Sequence, residues 1–424
     1  MRRHRARFLA LTAFAAASAL AVAACGGTTS ATNSASISGG SSNVVTVGIS
    51  EPLTGAFIAD GLASEQGYQL WASDVNANGG LLGHQVKLTI LNDKSLPSLT
   101  AKQYNTLIST DHVNFVLGPF SSLLTAAAAP VVARSGYSFV EGSGGAPSVF
   151  DLKEPDLFGV STPVVDQMVP FAKWVAALPA SQRPKSAAYP MVSDPFADPP
   201  VQTAETILQN AGIRTVYTNA SNPITATNLA PYAKAVAALR PDMVVLGSVD
   251  VPTVLAFIQT FEQQNYTPKV FIAASGPDQG LAFLDHVGPA NANGIMVPDG
   301  WSGSLANALS HVMVQDYIAK FGGTASGINT DVAESYSAGE TLAEAVAATG
   351  SLDNAKIIAY LHSGVTLQTV QGPAKFDSVG ENTQSVTSSF IFQWQNSQLV
   401  QVLPAGAPGS AQILVTKQPW NTSG

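Results

Sequence analysis

The chain has 424 residues, of which 46% are hydrophobic and 11% are charged, so it is too long for one compact core and has ample apolar material for two. Its net charge of −8, with no basic run beyond the N-terminal residues, argues against nucleic acid as a partner. A single cysteine excludes an internal disulfide, a CxxC pair and a thiolate metal cluster.

The N-terminal residues have the pattern of an export signal followed by a tether. Residues 1–7 are basic, residues 8–24 are apolar and rich in alanine, and small residues precede Cys25. This arrangement resembles the lipobox of bacterial lipoproteins, whose cysteine is diacylated, so we predict a lipoprotein signal peptide over 1–24, a lipidated Cys25 and a flexible tether over 25–43. The alternatives are an ordinary signal peptide with a chance cysteine and, less favoured because the apolar stretch is short, a spanning helix.

After the tether, short β-rich runs alternate with longer helical ones. Asn78, Gly79 and Gly80 are suited to ending the first helix, and Pro130 is expected to kink or break the third. The predicted strands cover 44–50, 86–92, 114–118 and 137–140, and the predicted helices cover 63–77, 99–110 and 121–135.

The same alternation restarts near residue 163, which predicts two consecutive doubly wound α/β lobes with parallel sheets. The predicted strands of this part cover 186–190, 214–218, 243–247 and 270–273, and the predicted helices cover 167–178, 201–211, 229–239 and 252–264. Helices over 307–321, 330–349 and 352–362 and a strand near 390–394 follow.

Five segments together resemble, in the same order, the type I periplasmic binding proteins of the Leu/Ile/Val-binding family. They are VGISEPLTG at 47–55, DVNANGGLLG at 74–83, LNDKS at 91–95, VLGPFSS at 116–122 and QGPAKFD at 371–377.

The resemblance implies two lobes joined by a three-strand hinge, with crossings near residues 163, 299 and 385. Lobe one would join 44–163 to 299–385, and lobe two would join 164–298 to 386–424. It further implies a monomeric receptor that binds a small amino-acid-like or amide ligand between the lobes and delivers it to an ABC permease, anchored by lipid on the extracytoplasmic face of the cell membrane.

Two loops of lobe one are candidate ligand contacts. Ser121 or Ser122 can cap the helix that follows a strand, where free N–H groups favour an anion; plain capping without a ligand explains the pair equally well. The resemblance implies that Ser122 contacts a ligand carboxylate, with Ser121 as its neighbour. It also implies that Ser143 and Gly145 contact an amino acid, whereas the alternative for their loop is a flexible surface segment.

The loop over 51–61 contributes Thr54, Phe57 and Asp60, which we expect at the mouth of the cleft on lobe one. Phe57 could equally be a core or hinge residue. Tyr336 is a further candidate at the cleft edge, with a core tyrosine as its alternative.

Lobe two contributes Phe196, Asp250 and Asp278 from three strand-end loops. Phe196 matches an aromatic that the resemblance expects over the ligand, while Asp250 departs from it because an aromatic is common there. Either acid could accept an ammonium, although a loop aspartate is more often a solvated turn residue. The Pro-rich stretch 194–200 also departs from the family pattern.

Motifs of catalysis are missing from the sequence. There is no GxSxG, HExxH, Walker or GxGxxG motif, and the six histidines show no metal spacing. We therefore predict no catalytic residues, no metal site and no cofactor. The alternatives to a transport receptor are a clamshell sensor of a membrane signalling system and a secreted α/β hydrolase, which the missing nucleophile motif disfavours.

Overall fold

The computed structural model describes residues 43–305, 307–384 and 389–420. The predicted signal peptide, Cys25 and all but the last residue of the predicted tether lie outside the described residues.

The first sheet is parallel throughout and has five strands in the order β2-β1-β3-β4-β5. Its inner strands β3 and β4 are three-residue runs that are buried along their whole length, as expected for a sheet covered on both faces. The strands are β1 (Val44–Glu51), β2 (Gln85–Asn92), β3 (Phe115–Leu117), β4 (Phe139–Glu141) and β5 (Leu157–Gly159). The helices between them are α1 (Ile58–Ala77), α2 (Pro97–Ser109), α3 (Ser122–Ala133) and α4 (Pro147–Phe150).

The second sheet has seven strands in the order β14-β13-β10-β9-β8-β6-β7. Its first five strands along the chain are β6 (Ser186–Tyr189), β7 (Arg214–Thr218), β8 (Met243–Leu246), β9 (Val270–Ala273) and β10 (Met296–Asp299). The accompanying helices are α5 (Val164–Gln167), α6 (Val169–Ala177), α7 (Asp198–Asn210), α8 (Ala230–Leu239), α9 (Val251–Gln263), α10 (Leu281–Val287) and α11 (Pro289–Ala292).

The rest of the chain contributes elements to both sheets. The antiparallel pair β13 (Phe390–Gln395) and β14 (Gln398–Leu403) extends the second sheet through β10. Before it come α12 (Ala308–Phe321), a 3₁₀ turn (Ala325–Gly327), α13 (Asp331–Thr349), α14 (Asn354–Leu361) and the small hairpin of β11 (Leu367–Thr369) and β12 (Gly372–Ala374). Helix α13 packs along α1, which returns this part of the chain to the first sheet.

Both sheets have apolar cores on their two faces because side chains alternate along each strand. Val244 and Leu246 of β8 point into one core, whereas Met243 and Val245 point into the other. The first sheet alternates in the same way between two further cores. This arrangement confirms the predicted α/β fold class of two doubly wound lobes; the residue-level lobe boundaries stay a prediction.

Most predicted elements agree with the structure to within a few residues, with two informative differences. The helix predicted over 167–178 is two helices, and Pro170 stands in the first turn of the second one, where its missing N–H costs no hydrogen bond. Helix α3, by contrast, continues through Pro130 to Ala133. Strands β5, β10, β11, β12 and β14 were not among those predicted from the sequence.

The close approach of α1 and α13 provides a test of this packing. A Cβ added to Gly339 would overlap the indole ring of Trp71, which is 1% exposed and cannot move aside. We expect Gly339→Ala to destabilise the protein by roughly 1–2 kcal/mol, because the overlap outweighs the gain of up to about 1 kcal/mol in helix propensity. Thermal denaturation measures this, with Ala348→Ser on the exposed face of α13 as the control. A raised melting temperature for Gly339→Ala would contradict the packing described.

Candidate ligand-binding cleft

A cavity lies where the carboxyl ends of strands from both sheets converge, and it encloses about 520 Å³ including the part that opens to solvent. Ligands of open α/β sheets bind at this end of the strands. The first sheet and its helices contribute Phe120, Ser121, Ser143, Gly145, Thr330, Asp331 and Glu334. The loops of the second sheet contribute Phe196, Val249, Ala274, Ser275 and Asp278. The connecting segments and nearby chain contribute Ser161, Val164, Gln167, Pro298 and Asp299.

An apolar cluster between the two lobes closes one side of the cavity. Phe120 meets Phe57 edge-to-face with the ring centroids 5.6 Å apart, and both pack in one cluster with Ala197 and Val249 of the second lobe. Phe196 adds a half-buried ring to this cluster. A solute in the cavity would therefore have aromatic surface on one side.

Ser121 marks the start of α3 at the cavity wall. Its φ of 79° and ψ of 148° belong to a region that glycine favours, and its hydroxyl oxygen accepts a hydrogen bond from the N–H of Leu124. Such backbone strain persists only where the surrounding structure imposes it, and it is common at binding sites.

Four carboxyl groups reach the cavity from three different segments of the chain. Asp278 accepts hydrogen bonds from the N–H of Gly276 at 2.6 Å and from the hydroxyl of Ser275 at 3.1 Å. Asp299, the last residue of β10, accepts from the N–H of Trp301 at 3.1 Å. The remaining two, Asp331 and Glu334, lie in the first turn of α13.

Two further contacts connect this group to lobe one. Glu334 accepts a hydrogen bond from the hydroxyl of Ser143 at 2.5 Å. Asp60 lies behind Asp331, is 1% exposed, accepts from the amide of Asn329 at 3.3 Å, and has its carboxyl within hydrogen-bonding reach of the Asp331 carboxyl. The acidic group thus extends from the cavity wall into the interior.

The environment of these groups favours their neutral forms. Burial and the neighbouring Asp278 carboxylate raise the pKa of Asp299 to about 8, and burial raises that of Asp278 to about 6. Burial likewise raises the pKa of Asp60 to about 8. For Asp331, burial and the neighbouring Asp60 raise the pKa well above its usual range.

Five of the residues proposed from the sequence line this cavity: Ser121, Ser143, Gly145, Phe196 and Asp278. Phe57 and Asp60 do not line the cavity themselves. Phe57 packs behind the lining residue Phe120, and Asp60 lies behind the lining residue Asp331.

The other four candidates are not among the lining residues and have partners within the protein. Ser122 is fully buried and its hydroxyl oxygen accepts from the N–H of Ala146 at 3.1 Å. Asp250 caps α9 through the N–H of Thr253 at 2.8 Å. Exposed Thr54 accepts from the amide of Asn92 at 3.0 Å, and the hydroxyl of Tyr336 donates to Asp74 at 2.9 Å, between α13 and α1.

Sequence reasoning missed Gln167, Asp299, Asp331 and Glu334. Asp299 ends β10, which is not among the strands that the sequence predicts. Acids in the first turn of a helix are normally explained by the helix dipole, so Asp331 and Glu334 gave no separate signal.

A family model described as periplasmic binding protein matches residues 44–398. The chain belongs to the type I periplasmic binding protein family. Leu/Ile/Val-binding protein BraC3 of Rhizobium johnstonii is 30% identical to this family member over 105 residues, which are 25% of this chain and 28% of that protein. The match thus spans less than a third of that relative's length.

Solved structures of other binding proteins have the same fold. The branched-chain amino acid protein LivJ of Streptococcus pneumoniae, in complex with isoleucine, superposes with a TM-score of 0.70 at 18% identity, covering 84% of this chain and 99% of that one. The leucine-binding protein LivK of Thermotoga maritima superposes with a TM-score of 0.71 at 17% identity, and the match covers 84% of this chain and 97% of that one. A solute-binding protein of R. palustris in complex with benzoate superposes with a TM-score of 0.70 at 15% identity, and the match covers 85% of this chain and 95% of that one.

Two further observations concern the described residues only. No three or more His, Cys, Asp or Glu side chains among them are placed to hold one metal ion. None of their helices is both long and apolar enough to cross a membrane.

The raised pKa values predict a stability that depends on pH. A carboxyl with a folded-state pKa of about 8 and an unfolded pKa of about 4 binds more protons when folded, so its contribution to stability is lost as pH rises from about 4 to 8. The titratable groups facing Asp299 are Asp278 and Glu334, with Asp331 and Asp60 beyond them. The ligand-free protein should therefore melt at a lower temperature at about pH 8 than at about pH 5.

Asp299→Asn keeps an oxygen for the N–H of Trp301 and removes the charge. We expect it to raise the melting temperature at about pH 8 by at least about 3 °C, with a smaller gain at about pH 5. Exposed Asp285→Asn is the control and should change neither value. A wild-type melting temperature that rises across this range would contradict the prediction.

Proposed function

We propose that this protein is the extracytoplasmic solute-binding receptor of an ABC importer, and that it holds a small amino-acid-like or amide solute in the cleft. The observation that carries the proposal is the cavity itself. Lobe one supplies residues such as Ser121 and Ser143, and lobe two supplies Phe196 and Asp278, so a single solute can contact both lobes at once.

A solute that contacts both lobes stabilises the closed arrangement over the open one, because the full set of contacts exists only when the lobes are together. The solute shifts the balance of open and closed forms by its difference in affinity for the two. The closed form would then be the one that a membrane permease recognises. Structural neighbours are in complex with isoleucine or benzoate, which supports a small organic solute.

We assign direct solute contacts to five residues: Ser121, Ser143, Gly145, Phe196 and Asp278. Gly145 lines the cavity, and a Cβ there would come within 3.0 Å of the carbonyl oxygen of Thr162, so this position has little room for a side chain. Phe57 and Asp60 would support the wall from behind.

We further propose that Cys25 carries the lipid that retains the protein at the membrane. The support is the order of residues in the sequence: a basic start, an apolar stretch and small residues directly before the only cysteine of the chain. Two acyl chains give stable anchoring, whereas one chain does not.

The binding proposal predicts a ligand that can be identified. Mass spectrometry of solute released from freshly purified protein, followed by thermal-shift measurements with that solute and with amino acids, amides and aromatic carboxylates, should find a compound that raises the melting temperature. If no compound is released and none raises it at about millimolar concentration, the receptor proposal fails.

A substitution in the cavity wall refines this test. Phe196→Ala should weaken binding of that solute by about tenfold, because a ring that covers the solute is removed. Phe321→Ala is a matched control, since that ring is also half-buried but lies at the end of α12. Equal affinities of wild type and Phe196→Ala would place the solute elsewhere.

The lipid proposal predicts that Cys25→Ser moves the protein from the membrane fraction to the soluble fraction and abolishes labelling by radioactive palmitate. Ser30→Ala, in the predicted tether, is the control and should behave as the wild type. Undiminished labelling of the Cys25→Ser protein would overturn the assignment.

A further inference from the structure

The carboxyl groups of the cleft have no cationic counterpart in its wall. Asp278, Asp299, Asp331 and Glu334 line the cavity, and no lysine, arginine or histidine is among the described residues that line it. The buried carboxyls of a protein are normally paired with a cation, because leaving a charge unpaired away from water is costly. A zwitterionic solute brings one ammonium, which is fewer cations than this wall can accept.

The hydroxyl groups of the wall are engaged in a way that strengthens this imbalance. The Ser143 hydroxyl donates to Glu334 at 2.5 Å, and the Ser275 hydroxyl lies within 3.1 Å of Asp278. The hydroxyl of Ser122, which family resemblance would direct to a ligand carboxylate, is not in the cavity wall and accepts from the N–H of Ala146. Ser143 and Ser275 are thus directed at carboxyl groups of the wall, which leaves two fewer hydroxyl donors for a ligand carboxylate.

A second and independent observation comes from Gln167, a neutral side chain of the wall. It is 7% exposed, and its Oε1 has no hydrogen-bond partner. Its Nε2 donates to the carbonyl oxygen of Thr162 at 3.5 Å, which leaves Oε1 as the unpartnered atom of this lining side chain. A buried acceptor without a donor is rare in proteins and indicates a missing N–H or O–H group.

The other surfaces of the cavity indicate an organic cation. The described residues do not place three potential metal ligands around one point. The wall also includes Phe120, Phe196 and Val164, which suit an apolar spacer, and an aromatic ring also attracts an alkylammonium or guanidinium group.

We propose that the solute of this cleft is an organic molecule with at least two cationic nitrogen groups separated by a short apolar spacer, as in a diamine or a dibasic amino acid. This inference rests on the proposed receptor function and narrows its ligand class.

Such a ligand also explains why the lobes would stay open without it. Asp278 of the second lobe faces Asp331 and Glu334 of the first, and burial together with mutual repulsion keeps these carboxyls from ionising at the same time unless a counter-charge lies between them. A dication between them replaces repulsion by two charge-assisted hydrogen-bonded contacts, so it binds the closed form more tightly than the open form. A neutral isostere gains only the apolar contacts.

Isothermal titration calorimetry with matched probes tests the proposal at about pH 8, where more of the carboxyls are ionised. The pairs are lysine with norleucine, arginine with citrulline, and 1,5-diaminopentane with pentylamine, each differing by one cationic group; leucine and benzoate complete the panel. We expect the more highly charged member of at least one pair to bind at least about 100-fold more tightly. Binding of the diamine identifies a ligand without a carboxylate, and preference for lysine or arginine identifies a dibasic amino acid.

Proton release provides a readout that packing alone would not change. Because burial raises the pKa of Asp278 and Asp299, a bound dication should expel protons from them, and the heat of binding should vary with the ionisation enthalpy of the buffer. Asp278→Asn and Glu334→Gln should each weaken binding of the dication by at least about tenfold and reduce the proton release, whereas exposed Asp285→Asn should do neither.

The two proposals fail separately. If norleucine, citrulline, leucine or benzoate binds as tightly as the cationic probes, or the solute released from the purified protein is neutral or anionic, the dication inference is overturned while the receptor function stands. If no probe binds and no solute is released, the receptor function and the inference both fall.

Discussion

The constraint on which this site depends is the desolvation of carboxyl groups that the protein itself does not neutralise. Asp278, Asp299 and Asp331 are each less than a tenth exposed, and the polar groups around them are hydroxyls and backbone N–H groups rather than cations. Such an arrangement leaves free energy to be gained when charge of the opposite sign enters. The rest of the structure can be understood as the scaffold that holds these groups in place and keeps most water away.

That scaffold follows from parallel strand pairing. In each sheet the strand ends that carry polar loops lie on the same side, since parallel strands share one direction, and the two sheets present these sides to one cavity. β10 ends at Asp299, while α13 carries Asp331 and Glu334 and is held against α1 by close packing at Gly67 and Gly339. Each lobe fixes the position of its own carboxyl groups, and the contacts between the lobes set the distances between carboxyls of different lobes.

The apolar and acidic parts of the cleft have complementary roles. The rings of Phe57 and Phe120 pack with Val249 across the two lobes and provide cohesion that does not depend on charge. The acids, when ionised, oppose closure unless a counter-charge lies between them. Affinity for a solute thus depends on both, and selectivity depends mainly on the acids, because unpaired buried charge discriminates more strongly than lost apolar area.

Sequence alone determined the alternation of strands and helices, the family and the loops at the strand ends, because these follow from local periodicity, turn residues and short motifs. It identified five residues that line the cavity, because they are polar, small or aromatic residues in loops at strand ends: Ser121, Ser143, Gly145, Phe196 and Asp278. It could not distinguish a capping acid such as Asp250 from a wall acid such as Asp331, since both are aspartates at the start of a helix. Only the tertiary structure decided this, because burial and the meeting of Asp278 with Glu334 arise from residues far apart in the chain, whose shared environment no local pattern encodes.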